Sequence, residues 1–330
     1  MFLFFLFVEK YLIMEEEALK RIFGFLEKKG EYNTPLIFKL LKNIPLTEEE
    51  LNVKGNLRLP GRKITTLPEG LKIAGSLDLS YSNITSLPEE LEVVGNLYLS
   101  YSNITSLPKG LKVGGNLDLS KSKINSLPEG LEVVGNLYLG GTEITSFPKG
   151  LKVAGNLVLS KSKINSLPEE LEVVGNLVLS FSNITSLPKG LKVGGNLDLS
   201  YSNITSLPKG LKVVGNMNLT SSKIISLPEG LEIGGDFYLS HTEITSLPKG
   251  LKVVGNLDLS YSKLNSLPEG LKVVGNLKMI STYMWSLPEG LEVGSNLYVR
   301  GSMLSRYTKN EIIEMIYPGF IKGKIYGVKK

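Results

Sequence analysis

From Leu51 to about Ser305, apolar and polar residues follow a pattern that returns every twenty residues. Positions 1 to 20 are numbered here from Leu51, Leu71, Leu91 and their successors. In the rung from 91 to 110, Leu91, Val93, Leu97, Leu99, Ile104 and Leu107 are apolar, at positions 1, 3, 7, 9, 14 and 17, and their neighbours are mostly polar or small. No helix has that spacing, whereas the alternations Leu91 to Val93 and Leu97 to Leu99 suit two short extended segments. Gly95 and Asn96 between them read as a turn that tolerates positive φ. Pro108 fixes its own φ and disfavours helix at Leu107, so the return side is expected to be extended. Six apolar side chains do not offset the entropy of ordering twenty residues, so a rung is stable only when stacked on others. Position 7 marks thirteen such rungs from Leu57 to Leu297, with Met217 and Phe237 in place of leucine at two of them.

The pattern changes at both ends. Between Glu9 and Lys29, residues such as Leu12, Leu19, Ile22 and Phe23 recur at helical spacing, and Gly30 follows as a stop. A second helix is expected from Thr34 and Pro35 to about Asn43, and Thr47 with Glu50 fits a capping box leading into Leu51. Thr308 with Glu311 gives another box ahead of Ile312, Ile313, Met315 and Ile316, and Pro318-Gly319 ends that helix. The tail from Phe320 to Lys330 is basic and reads as an edge strand or a loose arm. The expected organisation is an N-terminal helical cap over residues 1–50, a solenoid over 51–305, and a C-terminal helical cap with a basic tail over 306–330. The apolar start, Met1 to Val8, is too short to span a bilayer and lacks the basic start and cleavage site of a signal peptide. It reads as part of a capping helix, or as residues upstream of a start at Met14.

Composition narrows the chemistry. In a repeat array the 330 residues count coils, not domains. Charged residues make up 21 % with a net charge of +5, and both signs are interleaved along the array, which gives no support for nucleic acid binding. Cysteine is absent, which excludes a disulfide framework, a thiolate metal site and a cysteine nucleophile. His241 is the only histidine, so a catalytic triad or a zinc site would lack partners. The serines and paired carboxylates such as Glu89 and Glu90 recur with the period, which marks them as structural. The Gly-Gly-Asn turns lack the lysine and helix of a phosphate loop. The chain is therefore read as a non-enzyme with no cofactor, no metal and no membrane span, soluble and monomeric, cytoplasmic rather than secreted.

The string Leu97-Tyr-Leu99, Ser102, Ile104, Leu107-Pro108 to Leu111, repeated about twelve times, resembles the leucine-rich repeat, in the short form found in secreted bacterial effectors. That resemblance implies a parallel sheet of the L-x-L segments on a concave face, an extended convex side, and a face that binds other proteins. Two departures stand out. The family's asparagine that ties down the loop after the strand is here Ser82, Ser102, Ser122, Thr142 and their equivalents, whose hydroxyls make part of that bonding. The Val-Gly-Gly-Asn segment lies where the family has L-x-x-L, which admits a right-handed β-helix with two or three flat faces as the alternative fold.

Stacking turns equivalent positions into columns. Positions 19 and 2 alternate in sign, as in Glu89/Glu92, Lys109/Lys112, Glu129/Glu132 and Lys149/Lys152, with a break at Lys209/Lys212. This is expected to help set register, since exposed opposite charges attract only weakly. Position 8 and position 11 vary instead. They carry Tyr98, Asp118, Tyr138 and Tyr238, and Tyr81, Tyr101, Tyr201 and Tyr261, which form the candidate partner-binding set. Tyrosine offers large contact area at low entropic cost, and it is also simply a good exposed strand residue. The expected function is a protein-binding module for a partner the sequence does not identify. The alternatives are a structural or adhesive component of a virus particle or cell surface, or a carbohydrate-binding surface.

Overall fold

The computed structural model describes residues 36–330, so the helix expected between Glu9 and Lys29 and the Thr34-Pro35 start of the second lie outside the described residues. Among the described residues two short helices precede the array, α1 (Leu36–Leu41) and α2 (Glu48–Leu51), and Thr47 and Glu50 form the reciprocal capping box at the start of α2. The array itself is a β-solenoid of two sheets, each of fourteen parallel strands, with every strand only two residues long. One sheet is built from positions 2 and 3 and the other from positions 7 and 8. Successive rungs pair in strict register, as Lys152↔Glu172 and Val153↔Val173 in the first sheet and Leu137↔Leu157 in the second. The second sheet carries the L-x-L segments, and the Val-Gly-Gly-Asn feature marks the corner between the two sheets.

All six apolar columns point inward. Leu97, Leu99 and Ile104 are fully buried, and Leu91, Val93 and Leu107 nearly so, as are their equivalents along the array apart from the partly buried Leu51, Val53, Phe147 and Leu227. Each layer of this core is shared with the rungs above and below, which is why the rungs are stable only together. Met217 and Phe237 fill adjacent rungs of the position 7 column without exposure.

The turn at Gly95 and Asn96 differs from the expected one, since neither residue has positive φ. Glycine is required there by close approach: a Cβ on Gly95 would lie 2.6 Å from the carbonyl oxygen of Gly75 in the preceding rung. Asn96 belongs to a ladder that runs the length of the solenoid. Its Oδ1 accepts the backbone N–H of Asn116 at 2.7 Å, and Asn116 serves Asn136 in the same way at 2.8 Å. Asp236 replaces asparagine at one rung and keeps the bond, accepting from Asn256 N–H at 2.6 Å. The hydroxyl column at position 12 closes the turn after the second strand, as Ser102 Oγ donates to Leu99 O at 2.7 Å and Thr142 Oγ1 to Leu139 O at 2.7 Å.

The far end is closed by α3 (Lys309–Ile316), whose capping box is Thr308 with Glu311 and whose Ile312 and Ile316 are buried. The basic tail is not a loose arm. Phe320–Ile321 pairs with Glu292–Val293, and Ile325–Tyr326 with Leu297–Tyr298, so the tail supplies the last strand of both sheets. Lys324 N–H even donates the ladder bond to Asn296 Oδ1 at 2.9 Å. The tail is thus a fourteenth half-rung, set off from the thirteenth by the inserted helix.

Candidate recognition surface

Position 8 lies on the outer face of the second sheet, half-buried between neighbouring rungs, and position 11 projects just beyond the strand end. Strand register places Tyr98, Asp118 and Tyr138 side by side on successive rungs. Tyr81 stacks on Tyr101 with ring centres 4.6 Å apart and planes 8° from parallel. These five expected residues therefore form one patch. Tyr201 lies farther along, stacked on Phe181 at 4.5 Å. Tyr238 and Tyr261 lie farther still, Tyr261 stacked on His241 at 4.6 Å. The rungs bearing Val158 and Val178 separate the first patch from these, so the eight residues make more than one surface.

The backbone at position 11 is unusual. Tyr81, Tyr101, Lys121, Lys161, Phe181, Tyr201, Ser221, His241, Tyr261 and Ser281 all have φ between 54° and 59°. That left-handed conformation costs a residue with a Cβ about 1 kcal/mol or more, and glycine adopts it freely. Gly61, Gly141 and Gly301 occupy the same column. The strained backbone holds every large side chain of the column in one direction, so rings on adjacent rungs meet face to face. Two of the stacks end beside a lysine: Lys121 Nζ lies 4.9 Å from the centre of Tyr101, and Lys161 Nζ 5.6 Å from that of Phe181. Lys121 also donates to the Tyr101 hydroxyl at 2.6 Å, and that bond raises the pKa of the ammonium.

Two of the expected contact types carry structural work as well. Asp118 Oδ1 accepts the N–H of Ser120 at 2.9 Å, and Asp78, Asp198 and Asp258 make the same turn. The Tyr238 hydroxyl donates to Asp236 Oδ2 at 2.8 Å. Burial pushes the Asp236 carboxyl up, but the bonds from Asn256 and Tyr238 outweigh it and hold the group below the usual carboxylate range. Burial, and then its bond to that carboxylate, raises the Tyr238 phenol.

The charged columns of the first sheet form exposed ion pairs between rungs, among them Lys72–Glu92 at 3.0 Å, Lys192–Glu172 at 3.0 Å and Lys272–Glu292 at 2.8 Å. Two features escaped the sequence reading. Exposed Trp285 replaces the threonine or asparagine of position 15 and is covered by Arg306 at 5.7 Å. The last ring stack, Tyr298 on Tyr326 at 4.9 Å, depends on the tail strand. The signals for them were the single tryptophan and the likeness of Ile321-Lys-Gly-Lys-Ile325-Tyr326 to Val293-Gly-Ser-Asn-Leu297-Tyr298. Among the described residues no helix is long and apolar enough to cross a membrane.

No protein-family model and no curated protein matches the chain. Among solved structures it is similar to a leucine-rich repeat protein of Leptospira interrogans, at 22 % identity over 82 % of this chain and 83 % of that one, with a TM-score of 0.46. It is also similar to YopM from Yersinia enterocolitica, at 14 % identity over 96 % of this chain and 99 % of that one, with a TM-score of 0.30.

Proposed function

We propose that the chain is a non-enzymatic protein-binding module that presents the face of its second sheet to a protein partner. One observation carries this reading: the position 11 column keeps tyrosine, phenylalanine, histidine and lysine in a left-handed backbone where glycine would be unstrained. Tyr81 is 61 % exposed and Tyr101 45 %, so burial does not recover that strain. Large, half-ordered aromatic side chains held in fixed directions lose little entropy on binding. The patch of Tyr81, Tyr98, Tyr101, Asp118 and Tyr138 is the contact site in this reading. Within each stacked pair the rings cover one another, so edges and hydroxyls are offered outward, which suits hydrogen-bonding protein surfaces better than flat sugar rings.

Alanine at Tyr98, Tyr101 and Tyr138 together should leave the solenoid folded by circular dichroism and abolish capture of the wild-type chain's partner from an extract of the source organism. Undiminished capture by the folded triple variant would overturn the site.

A further inference from the structure

The position 11 column holds three short ring stacks, and the second and third are separated by a single rung. Phe181 and Tyr201 form one stack and His241 and Tyr261 the next, and between them stands Ser221. Tyr201, Ser221 and His241 share the same backbone, with φ of 56°, 56° and 57°. A ring at 221 would therefore continue the ladder, and serine leaves its place open. The rings of Tyr201 and His241 are two rungs apart, roughly 9.6 Å at a strand spacing of about 4.8 Å. A planar group midway would lie at the same distance from each wall as the rings already stacked in this column.

The column itself indicates what fits. Residues 201–270 echo 101–170, so that Tyr201 corresponds to Tyr101, Ser221 to Lys121 and His241 to Gly141. In the earlier copy Lys121 stands beside Tyr101 with its ammonium on the phenol hydroxyl; in the later copy that cation is gone and a second ring wall has been added. Asp198 stands on the rung of Tyr201, Asp236 on that of His241 and Asp258 on the next, and Asn218 lies on the rung between Asp198 and Asp236. A slot with two aromatic walls and carboxylates along one side favours a group that is both flat and cationic. Among the side chains that are cationic at neutral pH only arginine is flat.

We propose that the gap above Ser221 is an intercalation slot for an arginine side chain of the protein partner, its guanidinium lying between the rings of Tyr201 and His241. The proposal rests on the reading of this face as a protein-binding surface and adds the chemistry of one contact. Because His241 is the only histidine, its ring-proton NMR signals report on the slot without assignment of the rest of the chain.

The test is a titration of the whole protein with N-acetyl-arginine methylamide, with the lysine and tryptophan analogues in parallel. Saturable movement of the His241 signals by the arginine compound alone is expected. Ser221→Tyr, which fills the gap with a residue the column already holds elsewhere, and Ser221→Lys, which restores the arrangement at Lys121, should each abolish that movement. No saturable movement, equal movement with lysine, or a response to tryptophan only would overturn the assignment. These readouts need no partner, so a failed slot leaves the binding face standing. Conversely, arginine entry together with partner capture that survives the tyrosine variants but not the Ser221 variants would contradict the proposed contact patch and not the slot, whereas capture that survives the Ser221 variants would overturn the slot as a partner contact.

Discussion

At the residue scale, the solenoid depends on side chains whose polar atoms serve the next rung. Asn136 Oδ1 accepts the N–H of Asn156 at 2.7 Å in a half-buried corner. Replacing it by alanine leaves that amide without its partner and should cost about 1 to 3 kcal/mol in urea denaturation, against little change for Lys149→Ala on the exposed column. Asp236→Asn tests the one charged member of the ladder. Because the folded carboxyl titrates below its unfolded value, its stabilisation is full above the unfolded pKa and is lost as pH falls through the folded one. The wild type should exceed the variant in stability near pH 7, and the two should converge as the pH falls from the unfolded value through the folded one. The inward columns were legible in the sequence because burial repeats with the period. The ladder was not, since Asn96 beside Gly95 is also a turn signature, and only the spacing of rungs reveals that its amide reaches across to the next one.

At the scale of elements, both capping boxes were readable, because Thr47 with Glu50 and Thr308 with Glu311 are local signals that tertiary packing does not alter. The tail was half-readable. Its alternation admits a strand, but Ile321 and Ile325 are aligned with Val293 and Leu297 only once α3 is recognised as an insertion. The tail leaves the final strand edges beside exposed Lys322 and Lys324, charges that discourage pairing with another sheet. Deleting residues 317–330 removes that edge and uncovers the backbone of Glu292–Val293 and Leu297–Tyr298. The shortened protein should form concentration-dependent oligomers in sedimentation velocity, whereas a sharp monomer boundary would show that the tail does not protect the end.

At the scale of the whole molecule, the two sheets divide the labour. The first carries exposed lysine and glutamate columns whose ion pairs contribute little stability individually. The second carries the columns that vary, and its strained position 11 groups side chains into stacks that the sequence listed only as a column. Left-handed backbone at tyrosine or lysine has no signature in composition, so the sequence placed these residues on one surface without their order. The most direct test installs a photo-crosslinking benzoylphenylalanine at Tyr101 on this face or at Lys112 on the first sheet, in otherwise wild-type chain. A covalent adduct with the captured partner is predicted from position 101 and not from 112; adducts from 112 alone would place recognition on the opposite sheet and contradict the account.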